Sequence, residues 1–136
     1  MLECLILGDS VAVGIGQVRR ECVTYAAPGI NSYDYVNRHI LSKADNTPAK
    51  TTIISLGSND LEKFKTFAEL DTLRQLVKAD RVFWILPAVK DTKRQAVYQV
   101  AEKYKDTVID SRKHQLSSDR VHPTYNGYKS ISEQTK

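Results

Sequence analysis

Two short segments bring together residues that could do chemistry: Gly8-Asp9-Ser10, at the end of the first apolar run, and Asp119-Arg120-Val121-His122 near the far end of the chain. A carboxylate three residues ahead of an imidazole can reach one ring nitrogen in a tight turn. It then fixes the tautomer and stabilises the cation formed when the other nitrogen takes a proton. A serine hydroxyl is a suitable source of that proton, and the result is nucleophilic acyl chemistry. Neither segment is decisive alone. The chain has ten Asp and three His, so an Asp three residues from a His can arise by chance. Ser after Gly-Asp at a strand end is also a common helix N-cap. Capping and catalysis are compatible, because a helix N-terminus lends positive potential to a nucleophile and its oxyanion.

Other positions have two readings as well. Gly29 after Pro28 is a turn glycine, or a backbone N–H with no side chain obstructing an approaching carbonyl. Asn59 is a turn residue, or an amide donor aimed at the same oxyanion. His114, four residues after Asp110, is a rival base, but it lacks the Pro123-Thr124 that follow His122 and lead into a helix. His39 lies in a polar stretch and is expected to face solvent.

The elements that must position these residues follow from the apolar pattern. Leu2–Leu7 reads as a short buried strand, and Val11–Arg20 as a helix. Cys22–Ala26 is strand-like and ends at Pro28-Gly29. Asn31 or Ser32 could cap a helix to about Ser42, followed by a loop over Asp45-Asn46-Thr47-Pro48. Thr51–Leu56 is β-branched and continuous, and stops at Gly57-Ser58-Asn59-Asp60. Thr66–Ala79 carries Phe67, Leu70, Leu73, Leu76 and Val77 at helical spacing. Arg81–Leu86 is a strand stopped by Pro87. Asp91–Tyr104 is an amphipathic helix with Ala96, Val97, Val100 and Tyr104 on one side. Thr107–Ile109 is a short strand, and a last helix starts near Thr124 or Tyr125.

This strand–helix alternation predicts an α/β fold with about five parallel strands covered on both faces. No repeat or linker interrupts it, so residues 1–136 read as a single domain. Such sheets gather their sites at the carboxyl ends of the strands. Ser10, Gly29, Asn59 and the Asp110–His122 loop should therefore share one edge.

With these elements in order, the chain resembles the SGNH hydrolases, also called GDSL-type esterases and lipases. Gly8-Asp9-Ser10 matches the first block of that family, and Val11-Ala12-Val13-Gly14 continues it. Gly29 matches the lone glycine of the second block, and Gly57-Ser58-Asn59-Asp60 matches the third. Asp119-Arg120-Val121-His122-Pro123-Thr124 matches the last, with Gly127-Tyr128 beyond. The resemblance implies a three-layer α/β/α, flavodoxin-like fold with strand order 2-1-3-4-5. It implies Ser10 as nucleophile, His122 as general base and then acid, and Asp119 as its orienting partner. The Ser10 and Gly29 N–H groups and the Asn59 amide would form the oxyanion hole. Asp9 would be a structural tie, and no metal or cofactor would be needed. Arg120 stands where many members carry Gly, which puts a cation beside the site. The chain is near the minimum length of the family, which leaves few residues for lids and implies an open cleft.

Composition bounds the partners. Twenty basic and sixteen acidic residues give a net charge of +4, spread along the chain, with no motif for nucleic-acid binding. Hydrophobic residues make up 41% and charged residues 26%, ordinary for a globular protein. No segment approaches the roughly 18 apolar residues needed to span a membrane, so no membrane insertion is expected. No signal-peptide pattern opens the chain. It reads as cytoplasmic, with a phage-encoded or otherwise delivered protein giving the same pattern. Cys4 and Cys22 read as buried free thiols, since each falls in an apolar run.

The glycines Gly8, Gly14 and Gly16 fit no phosphate-binding spacing, and no G-x-S-x-G elbow occurs. The substrate expected is a small-molecule or glycan ester with a short acyl group, acetyl above all. Arg120 and Lys90, if near the cleft, would favour an anionic glycan. Thioesterase or lysophospholipase activity, and a catalytically silent binding module of the same fold, are the alternatives.

Overall fold

A continuous apolar run can be a strand only where both faces of its sheet are covered. The computed structural model, which describes residues 1–39 and 47–136 (His39 in its backbone only), shows that arrangement. The strands are β1 (Leu2–Gly8), β2 (Val23–Ala26), β3 (Ala49–Ser55), β4 (Ala79–Leu86) and β5 (Thr107–Asp110). The helices are α1 (Ser10–Val18), α2 (Ser32–His39), α3 (Thr66–Leu76), α4 (Asp91–Tyr104) and α5 (Tyr125–Gln134). The strands are parallel in the order β2-β1-β3-β4-β5, as expected. The expected helix end near Ser42, the Asp45-Asn46 loop residues and the exposure of His39 lie outside the described residues.

Alternation along each strand divides the core in two. Leu5, Leu7, Ile54, Leu56, Val82, Trp84 and Leu86 point to one face. There they pack with Tyr35 and Val36 of α2, Leu70 and Leu73 of α3, and Val97, Val100 and Ala101 of α4. Cys4, Ile6, Ile53, Phe83, Ile85 and Ile109 point to the other, against Val11, Ala12 and Ile15 of α1 and Ile131 of α5. The site therefore rides on a sheet clamped between two helix layers.

Boundaries shift where pairing decides them. β3 starts two residues earlier than expected because Ala49 pairs with both Leu2 and Ala79, and β4 starts early for the same reason. Phe67 has helical spacing but is exposed, since α3 buries the face carrying Thr66, Leu70 and Leu73.

The cysteine expectation is overturned: Cys4 and Cys22 form a disulfide. Leu5 pairs with Val23 in the parallel register of β1 and β2, so the residues just before them, Cys4 and Cys22, face each other. Their Cα atoms are 4.7 Å apart, within bridging range. The crossover through α1 closes a gap of 18 residues that looks long only in the sequence.

Candidate active site

The chain reverses direction at Gly8, whose φ of +139° suits glycine. A Cβ there would also overlap the Ser55 carbonyl at the end of β3. This turn sends Asp9 inward and Ser10 outward. Asp9, not Ser10, caps α1: its carboxylate accepts from the Val11 N–H at 3.0 Å, and the Ser55 hydroxyl donates to it at 3.0 Å. Ser10 is thus the first helical residue, with its hydroxyl free of capping duty. Burial pushes the Asp9 carboxyl up to about 6, against the pull of these hydrogen bonds.

On the other side, the loop before α5 builds its own turn. Asp119 Oδ1 accepts from the N–H groups of Val121 and His122 and lies 2.9 Å from the Ser117 hydroxyl. Its second oxygen lies 2.7 Å from His122 Nδ1, and His122 Nε2 lies 2.9 Å from Ser10 Oγ. The backbone and ring N–H groups of His122, then Val121 and Ser117, hold the Asp119 carboxyl well below the usual carboxylate range. An ionised carboxylate only accepts, so Nδ1 carries the proton and Nε2 is left to accept from Ser10. The turn places Arg120 at φ +58°, the left-handed region where glycine is at ease.

α1 begins at Ser10 and α5 begins just after His122, so packing of these two helices sets the distance between serine and imidazole. The Tyr128 ring lies where a Cβ at Gly14 would be, and Gly127 sits against the Gln115 carbonyl. Thr124 caps α5 by accepting from the Gly127 N–H. At the far ends, Arg19 donates to the carbonyl and hydroxyl of Thr135. Burial pushes the Tyr128 phenol up to about 12, with the charges of Asp9 and Asp119 adding to it, so it stays neutral.

Three strand-end loops are laced together at the point where strand order reverses, between β1 and β3, the usual crevice in such sheets. Ala27 N–H donates to the Gly8 carbonyl, and Asp9 N–H to the Ser55 carbonyl. The Asn59 amide donates to the Ile30 carbonyl at 3.0 Å, which leaves its second hydrogen for another acceptor. Gly29 has φ +78° and faces open space. Buried Asp60 accepts from the Ser32 N–H at 2.7 Å and the Thr66 hydroxyl at 2.6 Å. The ammonium of Lys90 donates to the Asp60 carbonyl at 3.0 Å, which ties it to this loop.

The rival pair separates. Asp110 is gripped by both arms of the Arg94 guanidinium at 2.9 Å. His114 lies against Ser130 and Gln134. Sequence reasoning passed over Ser117 and Ser55, and named Tyr128 only as following the last matching block. The signal for Ser117 was its place two residues before Asp119, and Ser55 carried none. No group of three or more metal-ligating side chains occurs among the described residues.

The three-layer sheet of order β2-β1-β3-β4-β5, with serine, imidazole and carboxylate on its carboxyl edge, has the fold of the GDSL-type hydrolases. A GDSL-like lipase from Bacteroides thetaiotaomicron superposes with a TM-score of 0.71 at 14% identity, over 96% of this chain and 83% of that one. A member of the lipolytic G-D-S-L family from Veillonella parvula gives 0.67 at 17% identity, over 98% and 96%. The catalytic domain of a peptidoglycan O-acetyltransferase from Streptococcus pneumoniae gives 0.64 at 15% identity, over 96% and 88%. At these identities the likeness is one of fold. No protein-family model and no curated protein matches the sequence.

Proposed function

We propose that this protein is a serine ester hydrolase acting through an acyl-enzyme on short acyl esters, acetyl esters above all, with O-acetylated carbohydrate as the preferred class. The observation that carries this reading is the unbroken relay from Ser10 Oγ through His122 to Asp119, at 2.9 and 2.7 Å. His122 takes the Ser10 proton as Oγ attacks the ester carbonyl. The N–H groups of Ser10 and Gly29 and the free hydrogen of Asn59 are the donors for the developing oxyanion. His122 then protonates the leaving alcohol, and water attacks the acyl-enzyme by the same route. Asp119 keeps its charge throughout.

An intact relay argues against a silent binding module. The fold likeness to an O-acetyltransferase domain and to lipolytic proteins supports acyl chemistry without choosing the alcohol. No helix among the described residues is long and apolar enough to cross a membrane. The disulfide favours an oxidising milieu, which suits a delivered protein better than a cytoplasmic one. The test is release of p-nitrophenol from p-nitrophenyl acetate, with octanoyl ester as the contrast. Wild type should act faster on the acetyl ester, and Ser10→Ala should not act. Equal rates for the two proteins would overturn the mechanism, and an octanoyl preference would overturn the acyl assignment.

A further inference from the structure

We infer that the cleft beside the His122 loop is a subsite for an anionic group, carboxylate or phosphate, on the alcohol half of the substrate, read by Arg112 and Arg120. This rests on the ester-hydrolase reading above. The cleft encloses about 820 Å³ between Ala88 and Val89 after β4, Arg112 after β5, and the loop from Leu116 to Arg120. That loop contains Asp119 and ends two residues before His122. In the reaction proposed, His122 delivers its proton to the leaving oxygen, so the alcohol half lies on the His122 side of Ser10. Ser10, Asp119 and His122 do not themselves line the cleft, which adjoins them through this loop.

The two guanidinium groups suit an anion. Arg112 is held in place: Nε donates to the Ala88 carbonyl at 2.7 Å, and Nη2 to Asp91 at 2.9 Å. Its Nη1 has no acceptor among the described residues, and the side chain is 44% exposed. Arg120 makes no side-chain hydrogen bond or ion pair among the described residues. It occupies a left-handed position that glycine would fill without strain. The turn therefore does not require an arginine, whereas a substrate anion could use one. Asp91 pairs with Arg112 and offsets its charge, and Asp119 is ionised beside a His122 whose Nε2 is an acceptor, so the attraction for an anion rests on Arg120 and on the open Nη1 donor of Arg112 rather than on net charge. Guanidinium forks bind carboxylate and phosphate oxygens in pairs, with directional hydrogen bonds.

The experiment compares kcat/KM for 4-acetoxybenzoate and 4-acetoxyphenyl phosphate with that for the neutral methyl 4-acetoxybenzoate. Wild type should favour at least one anion by roughly tenfold, the scale of a charged hydrogen bond. The favoured arm tells carboxylate from phosphate. Arg120→Gly, which suits the backbone, and Arg112→Gln should each lower the anion-to-neutral ratio, mainly through KM. The double variant should bring it near one. Rising salt should narrow the ratio in wild type, and Lys50→Gln, a charge change on β3 away from the cleft, should leave it as it is. Hydrolysis of the neutral ester with no anion preference overturns the subsite and leaves the esterase reading standing. A preference that survives the double variant overturns it too. Failure to hydrolyse any of the three esters overturns the parent reading, and the subsite with it.

Discussion

Two aspartates flank the chemistry and their surroundings drive them in opposite directions. Asp9, next to Ser10, is fully buried, caps α1 and leans on Ser55, and desolvation pushes its carboxyl up to about 6. Asp119, three residues before His122, has a side chain 49% exposed, yet four hydrogen-bond donors hold it well below the ordinary carboxylate range. Asp9 takes up a proton near pH 6, whereas Asp119 keeps its charge far below neutral pH. Solvent exposure spares it the desolvation penalty, and the tight turn supplies the donors. The first anchors its loop to the core, so Ser10 inherits the rigidity of the sheet. The His122 loop, with little core beneath it, is shaped by its own hydrogen bonds and by the packing of α5 on α1.

The comparison can be broken by exchanging charge for amide. Asp119→Asn keeps the turn acceptor but loses the charge and favours the wrong tautomer of His122. The expected cost is on the order of 10⁴-fold in kcat, checked by steady-state kinetics on p-nitrophenyl acetate. A loss below tenfold would mean that His122 does not depend on Asp119. Asn59→Ala should cost on the order of 100- to 1000-fold in kcat if its free hydrogen meets the oxyanion. A wild-type kcat would confine Asn59 to tying down Ile30.

The core-anchored side is tested through stability. Replacing Cys4 and Cys22 together with Ser should lower unfolding free energy by about 3 kcal/mol, read by urea denaturation. Turnover should change little, since the bridge lies four residues before Gly8 in β1. Loss of turnover in a folded variant would show that the lower half of β1 also shapes the site. An effect confined to one pH window is expected from Asp9→Asn. A carboxyl raised on folding contributes stability below about 3.8 and loses that contribution as pH climbs through about 6. Asn can still accept from Val11 and never ionises. The variant should therefore gain on wild type as pH rises from about 4 to about 6. A difference that stays flat across that window would show that Asp9 is not desolvated as described.

Much of this was legible in the residues. The alternation of apolar strands with amphipathic helices carried the three layers, and α4 was delimited by its periodicity alone. Gly8-Asp9-Ser10 and Asp119 to His122 could be singled out because their residue types and spacing are those that acyl chemistry needs. What stayed hidden depended on partners distant in the chain. Register set Cys4 opposite Cys22, and no local pattern encodes register. Whether Asp9 or Ser10 capped α1 turned on which side chain the Gly8 turn sends inward. The reason for Gly14 lay 114 residues away, in the ring of Tyr128. The bond from the Lys90 ammonium to the Asp60 carbonyl likewise joins residues 30 positions apart.

The central claim is that His122 and Asp119 activate Ser10 as the nucleophile. Its most direct test is labelling with a sulfonyl fluoride, followed by peptide mass spectrometry. The relay predicts one sulfonyl group per chain on the Ser10 peptide, loss of esterase activity in step with labelling, and no labelling in Ser10→Ala. Labelling of another residue, or an active protein that the reagent never modifies at Ser10, would contradict it.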